Sequence, residues 1–146
     1  MMSAVKRLSW LLPVCVFFCS CGDAHPEREE TYPVAGEVYV DGNPAAGLQV
    51  TCHSVEGLDT EMGWVCQGMT NEEGKFEINT YEAGDGVPEG DYVVTFLWGK
   101  TNFASMQYGG PDQLKGRYTD PKKSEHKFTA KKGEQTDLGR FELTTK

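Results

Sequence analysis

Apolar and polar residues alternate with a period of two along most of this chain, and that alternation predicts strands. The dominant segment runs from Gly90 to Trp98, where Tyr92, Val94, Phe96 and Trp98 point one way and Val93, Thr95 and Leu97 the other. Both faces are mostly apolar, so this strand is expected at the centre of a sheet, covered on both sides for much of its length. Six more segments follow the same rule. Tyr32 to Val40 puts Val34, Gly36, Val38 and Val40 on one face. Leu48 to Val55 aligns Leu48, Val50 and Cys52, and Trp64 to Thr70 aligns Trp64, Cys66 and Gly68. Lys75 to Tyr81 carries Phe76 and Ile78 on one side, and His126 to Ala130 and Thr136 to Leu143 complete the set. In the last segment Phe141 and Leu143 share a face while Leu138 is out of phase, a mismatch that a bulge at Gly139 repairs.

Turn residues punctuate these runs. Asp41-Gly42-Asn43-Pro44 and Asn71-Glu72-Glu73-Gly74 combine residues that tolerate positive φ with a proline or a tight exit. Gly99 to Glu125 departs from the pattern: 27 residues, the punctuation Gly109-Gly110-Pro111 and no clean period. Loops of that length in a compact domain are functional or conceal short structure. The chain holds no amphipathic helix of any length, no internal repeat and no low-complexity segment. Short strands at regular spacing predict an all-β fold, a seven-stranded antiparallel β-sandwich.

The first 20 residues are read as a targeting segment. Lys6 and Arg7 form a positive region, and Leu8 to Phe18 is an apolar run too short to span a bilayer but suited to a secretory signal. Phe18-Cys19-Ser20-Cys21-Gly22 follows, and it resembles a bacterial lipobox. The resemblance implies that the Cys21 thiol is acylated before cleavage; Phe18 departs from the usual Leu three positions ahead. An ordinary signal peptide that leaves Cys21 a plain thiol is the alternative. An acylated Cys21 anchors the chain in a lipid bilayer through its buried methylenes. The expected location is the bacterial cell envelope, outside the cytoplasmic membrane, with the outer membrane left open by Gly22. Residues 21–31 read as a polar flexible tether that includes His25, and residues 32–146 as one domain.

Charge narrows the partners. The chain has a net charge of −8, which becomes −10 once Lys6 and Arg7 leave. Nucleic acid demands clustered Lys and Arg, so it is excluded as a partner, and adhesion along an anionic lipid surface is disfavoured. Two cysteines remain in the domain. A hairpin of the second and third strands centred near Asp59 sets Cys52 opposite Cys66 on one face, and an oxidising envelope then makes a disulfide the expectation. Free thiols are the alternative.

Catalytic signals are sparse. Three His residues are scattered, and G-x-S-x-G, H-E-x-x-H and a glycine-rich phosphate loop are all missing from the sequence. Acidic residues crowd the turns without a D-x-D-x-D-G calcium loop, so no metal and no cofactor is expected. Phe103, Tyr108 and Tyr118 in the long loop form a candidate binding face for a glycan or peptide; the other reading is that they fold back over the sandwich edge. Asp85 and Asp112 are the acidic loop residues that a small carbohydrate-active or hydrolase-like enzyme would use, and this is the alternative function.

Three separated pieces carry a family resemblance. They are Val34-x-Gly36-x-Val38-x-x-Asp41-Gly42-x-Pro44-x-x-Gly47-x-x-Val50, then Thr70-Asn71-Glu72-Glu73-Gly74-Lys75-Phe76, then Pro88-x-Gly90-x-Tyr92-x-Val94. Together they resemble the carboxypeptidase regulatory-like domain, a transthyretin-like sandwich related to the B-type repeats of surface adhesins. Gly110 to Pro121 resembles the tail of small secreted bacterial lipoproteins that carry this domain alone. The resemblance implies a non-catalytic accessory or binding module, with an envelope protein or a glycan as partner. Relatives that hydrolyse hydroxyisourate end in Tyr-Arg-Gly-Ser, where this chain has Leu143-Thr144-Thr145-Lys146. The Lys with which adhesin repeats form an isopeptide is missing from Val34 to Val38.

Overall fold

A computed structural model describes residues 28–60 and 63–146. The targeting segment, Cys21 and His25 lie outside the described residues. The strands are, in chain order, β1 (Thr31–Tyr32), β2 (Val34–Val40), β3 (Asn43–Pro44), β4 (Gln49–Ser54), β5 (Val65–Met69) and β6 (Lys75–Glu77). They continue with β7 (Val87–Pro88), β8 (Gly90–Leu97), β9 (Lys100–Asn102), β10 (Gln107–Gly109), β11 (Lys127–Ala130) and β12 (Thr136–Leu143). A 3-10 turn, Val55–Gly57, follows β4.

The architecture is all-β, as the alternation requires. One sheet has the antiparallel order β11-β8-β4-β5. The other is built on β2, with β12 on one side and both β3 and β6 on the other. The two sheets face each other across a core of Val50, Cys52, Tyr92, Val94 and Phe96 from the first and Val34, Val38, Phe76 and Leu143 from the second. Leu114, from the irregular segment after β10, is also fully buried there. Burial alternates residue by residue along β2, so its period-two pattern is the pattern of the core. Along β8 it does not alternate: Tyr92 to Phe96 are all buried, as expected for a central strand with two apolar faces.

Several details depart from the sequence reading. The β12–β2 pairing is parallel, because the chain crosses from the first sheet to the second before it lies down beside β2. Asn43 and Pro44 are a short strand rather than part of a turn. The reversal is the two-residue loop Asp41-Gly42, both at positive φ (50° and 83°), the geometry that matches strand twist in tight hairpins. The expected tether reaches only partway into the described residues. Arg28 stacks over the Tyr81 ring at 5.0 Å, the Glu29 N–H donates to the Tyr81 hydroxyl, and Thr31 already pairs with Pro88. The bulge falls where the phase of Leu138 places it: β12 uses Asp137 to Arg140 against Ala35 to Glu37, and Gly139 takes φ +68°.

Cys52 and Cys66 are directly paired across β4 and β5, so the hairpin has the expected register. Both are free thiols, however, and the expected bridge is not formed. Burial pushes both thiols up from their ordinary pKa, which keeps them protonated and slow to oxidise. The Thr80 hydroxyl sits 3.0 Å from Cys66 Sγ and donates to the Gly86 carbonyl at 2.6 Å, tying the thiol to the loop after β6.

The sheets meet at one corner, where Gln67 of β5 and Asn79, two residues beyond β6, form an isolated bridge. Gly68 makes that corner feasible, since a Cβ there would lie 2.2 Å from the Glu77 carbonyl oxygen. Gly68→Ala is expected to lower stability by about 1–3 kcal/mol, the usual cost of overpacking. An unchanged urea midpoint would show that β5 and β6 are free to separate. Closing Cys52 to Cys66 with a mild oxidant is expected to add about 3 kcal/mol, the value for a loop of about 15 residues. Comparing urea midpoints with and without reductant checks it, and equal midpoints after confirmed oxidation would contradict it.

Candidate functional site

The two acidic residues considered for catalysis are structural. Asp85 accepts from the backbone N–H of Thr80 at 2.7 Å with one oxygen, and from Tyr81 at 2.8 Å and Glu82 at 3.0 Å with the other. Asp112 accepts from Trp98 and Leu114, each at 3.0 Å, and from Gly116 at 2.7 Å. Each carboxylate thus closes its own loop, one beside β5 and one at the end of β8. Asp41 does the same at a third place. It accepts from the hydroxyls of Thr144 and Thr145, which hold its carboxyl below the ordinary range and clasp the C-terminal residues to the β2–β3 turn. Among the described residues, no three or more His, Cys, Asp or Glu stand together as a metal site.

The three aromatics of the long loop are separated by the fold. Tyr118 packs edge-on to Phe96 and its hydroxyl accepts from the Thr144 N–H. The half-buried Tyr108 accepts from the Gly99 N–H at 2.7 Å, and its hydroxyl lies 3.0 Å from the carbonyl oxygens of Gly47 and Leu97. Both rings therefore cover the sandwich edge. Phe103 alone is open, 85% exposed at the tip of the β9–β10 hairpin beside Met106 at 78%. The structure does not assemble these three into one face.

A different surface is assembled instead. An open groove of about 840 Å³ runs over the β5–β6 corner. Five carboxamides line it: Gln49 and Gln67 from the first sheet, Asn71 and Asn79 flanking β6, and Gln135 ahead of β12. The chain has nine Asn and Gln in all, so more than half stand at one place. Ala83 and Gly84 form part of one wall, held by Asp85 and by the Gly84 N–H, which donates to Asn79 at 2.6 Å. The acidic residue read as a catalytic candidate is therefore a support for this groove.

The groove is lined from the second sheet by Glu37, Lys75, Glu77 and Asp137 and opens onto the outer face of the first sheet through Gln49, Gln67 and Met69. Cross-strand register builds three rows there: Leu97–Gln49–Met69, Thr95–Thr51–Gln67 and Val93–His53–Val65, of which Val93 and Thr95 on β8 are buried and the positions on β4 and β5 form the open part. None of these nine positions carries a carboxylate, ammonium or guanidinium, in a chain that is 25% charged. His53 Nε2 lies 2.9 Å from Thr95 Oγ1, and burial lowers the pKa of the imidazole, which favours its neutral form. The outer face of the second sheet is the opposite case, with Glu37, Lys75, Glu77, Asp137, Arg140 and Glu142 in register. An ordinary solvated sheet face looks like the second; burial accounts for Val93 and Thr95, and the six open positions Gln49, Thr51, His53, Val65, Gln67 and Met69 require another explanation.

No family model matches this chain, and no curated protein matches it. Among solved structures it is similar to a 9R-lipoxygenase from Cyanothece PCC8801, with 11% identity and a TM-score of 0.43 over 78% of this chain and 16% of that one. It is also similar to (S)-allantoin synthase, with 15% identity and a TM-score of 0.40 over 80% of this chain and 42% of that one. The chain spans only 16% and 42% of those proteins. At such scores the likeness carries no argument about function.

The structural reading of the aspartates has a direct consequence. Asp112→Ala leaves three backbone N–H groups without their acceptor, and is expected to cost about 2–4 kcal/mol. Glu82→Ala, whose exposed side chain lies on the Asp85 loop, is expected to change stability by less than about 0.5 kcal/mol. Urea unfolding of the two variants checks the contrast, and equal midpoints would remove the structural role.

Proposed function

We propose that this chain is a lipid-anchored protein of the bacterial cell envelope, held by acylated Cys21, whose sandwich is a non-catalytic binding module of the carboxypeptidase regulatory-like type. The observation that carries the binding role is the groove at the β5–β6 corner. It gathers five carboxamides, of which Gln49, Gln67 and Gln135 make no hydrogen bond among the described residues, next to a sheet face without charge. Volumes of about 300–1,000 Å³ are typical of ligand sites. The non-catalytic part is supported by Asp85 and Asp112, whose oxygens are taken up by backbone N–H groups rather than aimed at a common point. The anchor is supported by the lipobox-like sequence that ends at Cys21. From Arg28 onward the chain is held to the domain, by an ion pair between Arg28 and Glu82 at 3.8 Å and by the β1–β7 pairing.

The test uses full-length protein and Cys21→Ala in cells fed labelled palmitate. Wild type is expected to carry the label and sediment with membranes, and the variant to be unlabelled and released. Identical labelling and fractionation of the two would overturn the anchor. Turnover of a substrate by the purified protein would overturn the non-catalytic reading.

A further inference from the structure

We infer that the groove and the adjoining charge-free face bind a neutral, polyhydroxylated chain, a glycan without carboxylate, sulfate or phosphate groups; this rests on the binding-module reading above. The first argument is which polar groups are already committed. The charged side chains of the groove are largely engaged within the protein: Lys75 with Glu73 at 2.9 Å, Glu37 with Arg140 at 3.4 Å, and Asp137 with the Gly139 N–H at 2.8 Å. The carboxamides of Gln49, Gln67 and Gln135 make no hydrogen bond among the described residues, although each offers two donors and an acceptor. Sugar hydroxyls are donor and acceptor at once, and carboxamides match them where carboxylates or ammoniums match only one role.

The second argument is charge. An anionic glycan or phosphate would approach a chain of net charge −8 and meet Glu37, Glu77 and Asp137 at the groove. A cationic ligand would find those carboxylates but no counterpart on the outer face beyond. A neutral chain runs from one onto the other without bringing a charge of its own to either. Apolar contact is also present, since Met69 is 45% and Val65 57% exposed on β5, placed to meet the C–H faces of sugar rings.

The third argument is size. The two strands whose outer positions reach solvent, β4 and β5, about 4.8 Å apart with five residues at about 3.3 Å, give a face of roughly 10 by 17 Å, or on the order of 170 Å². A stable protein interface needs about 800 Å² per partner. The face is too small for a protein and adequate for a few sugar units.

Full-length protein in a zwitterionic detergent, titrated calorimetrically with cello-, xylo-, malto- and chito-oligosaccharides and with oligogalacturonate, tests this. One neutral series is expected to bind, with affinity rising with chain length, and oligogalacturonate is expected not to. Gln67→Ala and Gln135→Ala should each weaken binding about fivefold, the loss of one hydrogen bond. Gln107→Ala on the β9–β10 hairpin should leave it unchanged. Binding that survives both groove substitutions, preference for oligogalacturonate, or no binding at all would each overturn the glycan assignment. A photo-crosslinking residue in place of Gln67 separates the two levels. If it traps an envelope protein while no sugar binds, the binding module stands and the glycan falls; if it traps nothing either, both fall.

Discussion

The rest of the structure depends on satisfying the backbone of β8. A central strand buried on both faces cannot leave N–H or C=O groups unpaired without a cost comparable to a lost hydrogen bond for each. On one side β4 pairs with it from Tyr92 to Leu97. On the other side β11 reaches only from Gly90 to Val93. Beyond that point the irregular chain between β10 and β11 takes over. Val94 N–H donates to the His126 carbonyl and Phe96 N–H to the Tyr118 carbonyl. Trp98 N–H donates to the Asp112 carboxylate, and Gln113 N–H returns to the Trp98 carbonyl. The Ser124 hydroxyl donates to the Val94 carbonyl. The long loop meets the hydrogen-bonding groups of this edge of β8 one at a time, without forming a strand. Its need to meet β8 at several points also explains why Leu114 and Tyr118 pack against the core.

Much of this architecture was legible in residue types. The two apolar faces of β8, the Cys52–Cys66 register and the bulge at Gly139 all follow from period two, because a one-residue slip would turn a whole strand inside out. What the pattern lacks is long-range information. Nothing in Thr136 to Leu143 distinguishes a parallel from an antiparallel neighbour, and the two- and three-residue strands are too short to show a period. The segment from Gly99 to Glu125 looks featureless because its order comes from isolated hydrogen bonds rather than repetition. The bridge expectation rested on register and compartment, and the register is right while the thiols are free.

The site was less legible than the fold, for a related reason. Acidic loop residues look like chemistry in a sequence, and here Asp41, Asp85 and Asp112 are the clamps that hold loops without regular structure. Aromatics in a long loop look like a binding face, and two of three are edge covers. The groove residues Gln49, Gln67, Asn71, Asn79 and Gln135 come from separate elements and form no motif. A signal did exist: the solvent-side positions of Leu48 to Val55 and Trp64 to Thr70 are uncharged in a chain that elsewhere places a charge at one position in four. Missing charge on the solvent side of a strand is a quieter sign than a cluster of acids, and in this fold it marks the more unusual surface.

The claim that an irregular segment completes β8 is most directly tested by amide hydrogen exchange of the folded protein, read residue by residue by NMR. Val94, Phe96 and Trp98 are expected to exchange as slowly as the amides that β8 shares with β4, because all would open only with the core. Fast exchange at Phe96 and Trp98, at rates like those of the β9–β10 hairpin tip, would contradict the account. It would mean that β8 has a free edge and that residues 110–126 do not belong to the sheet.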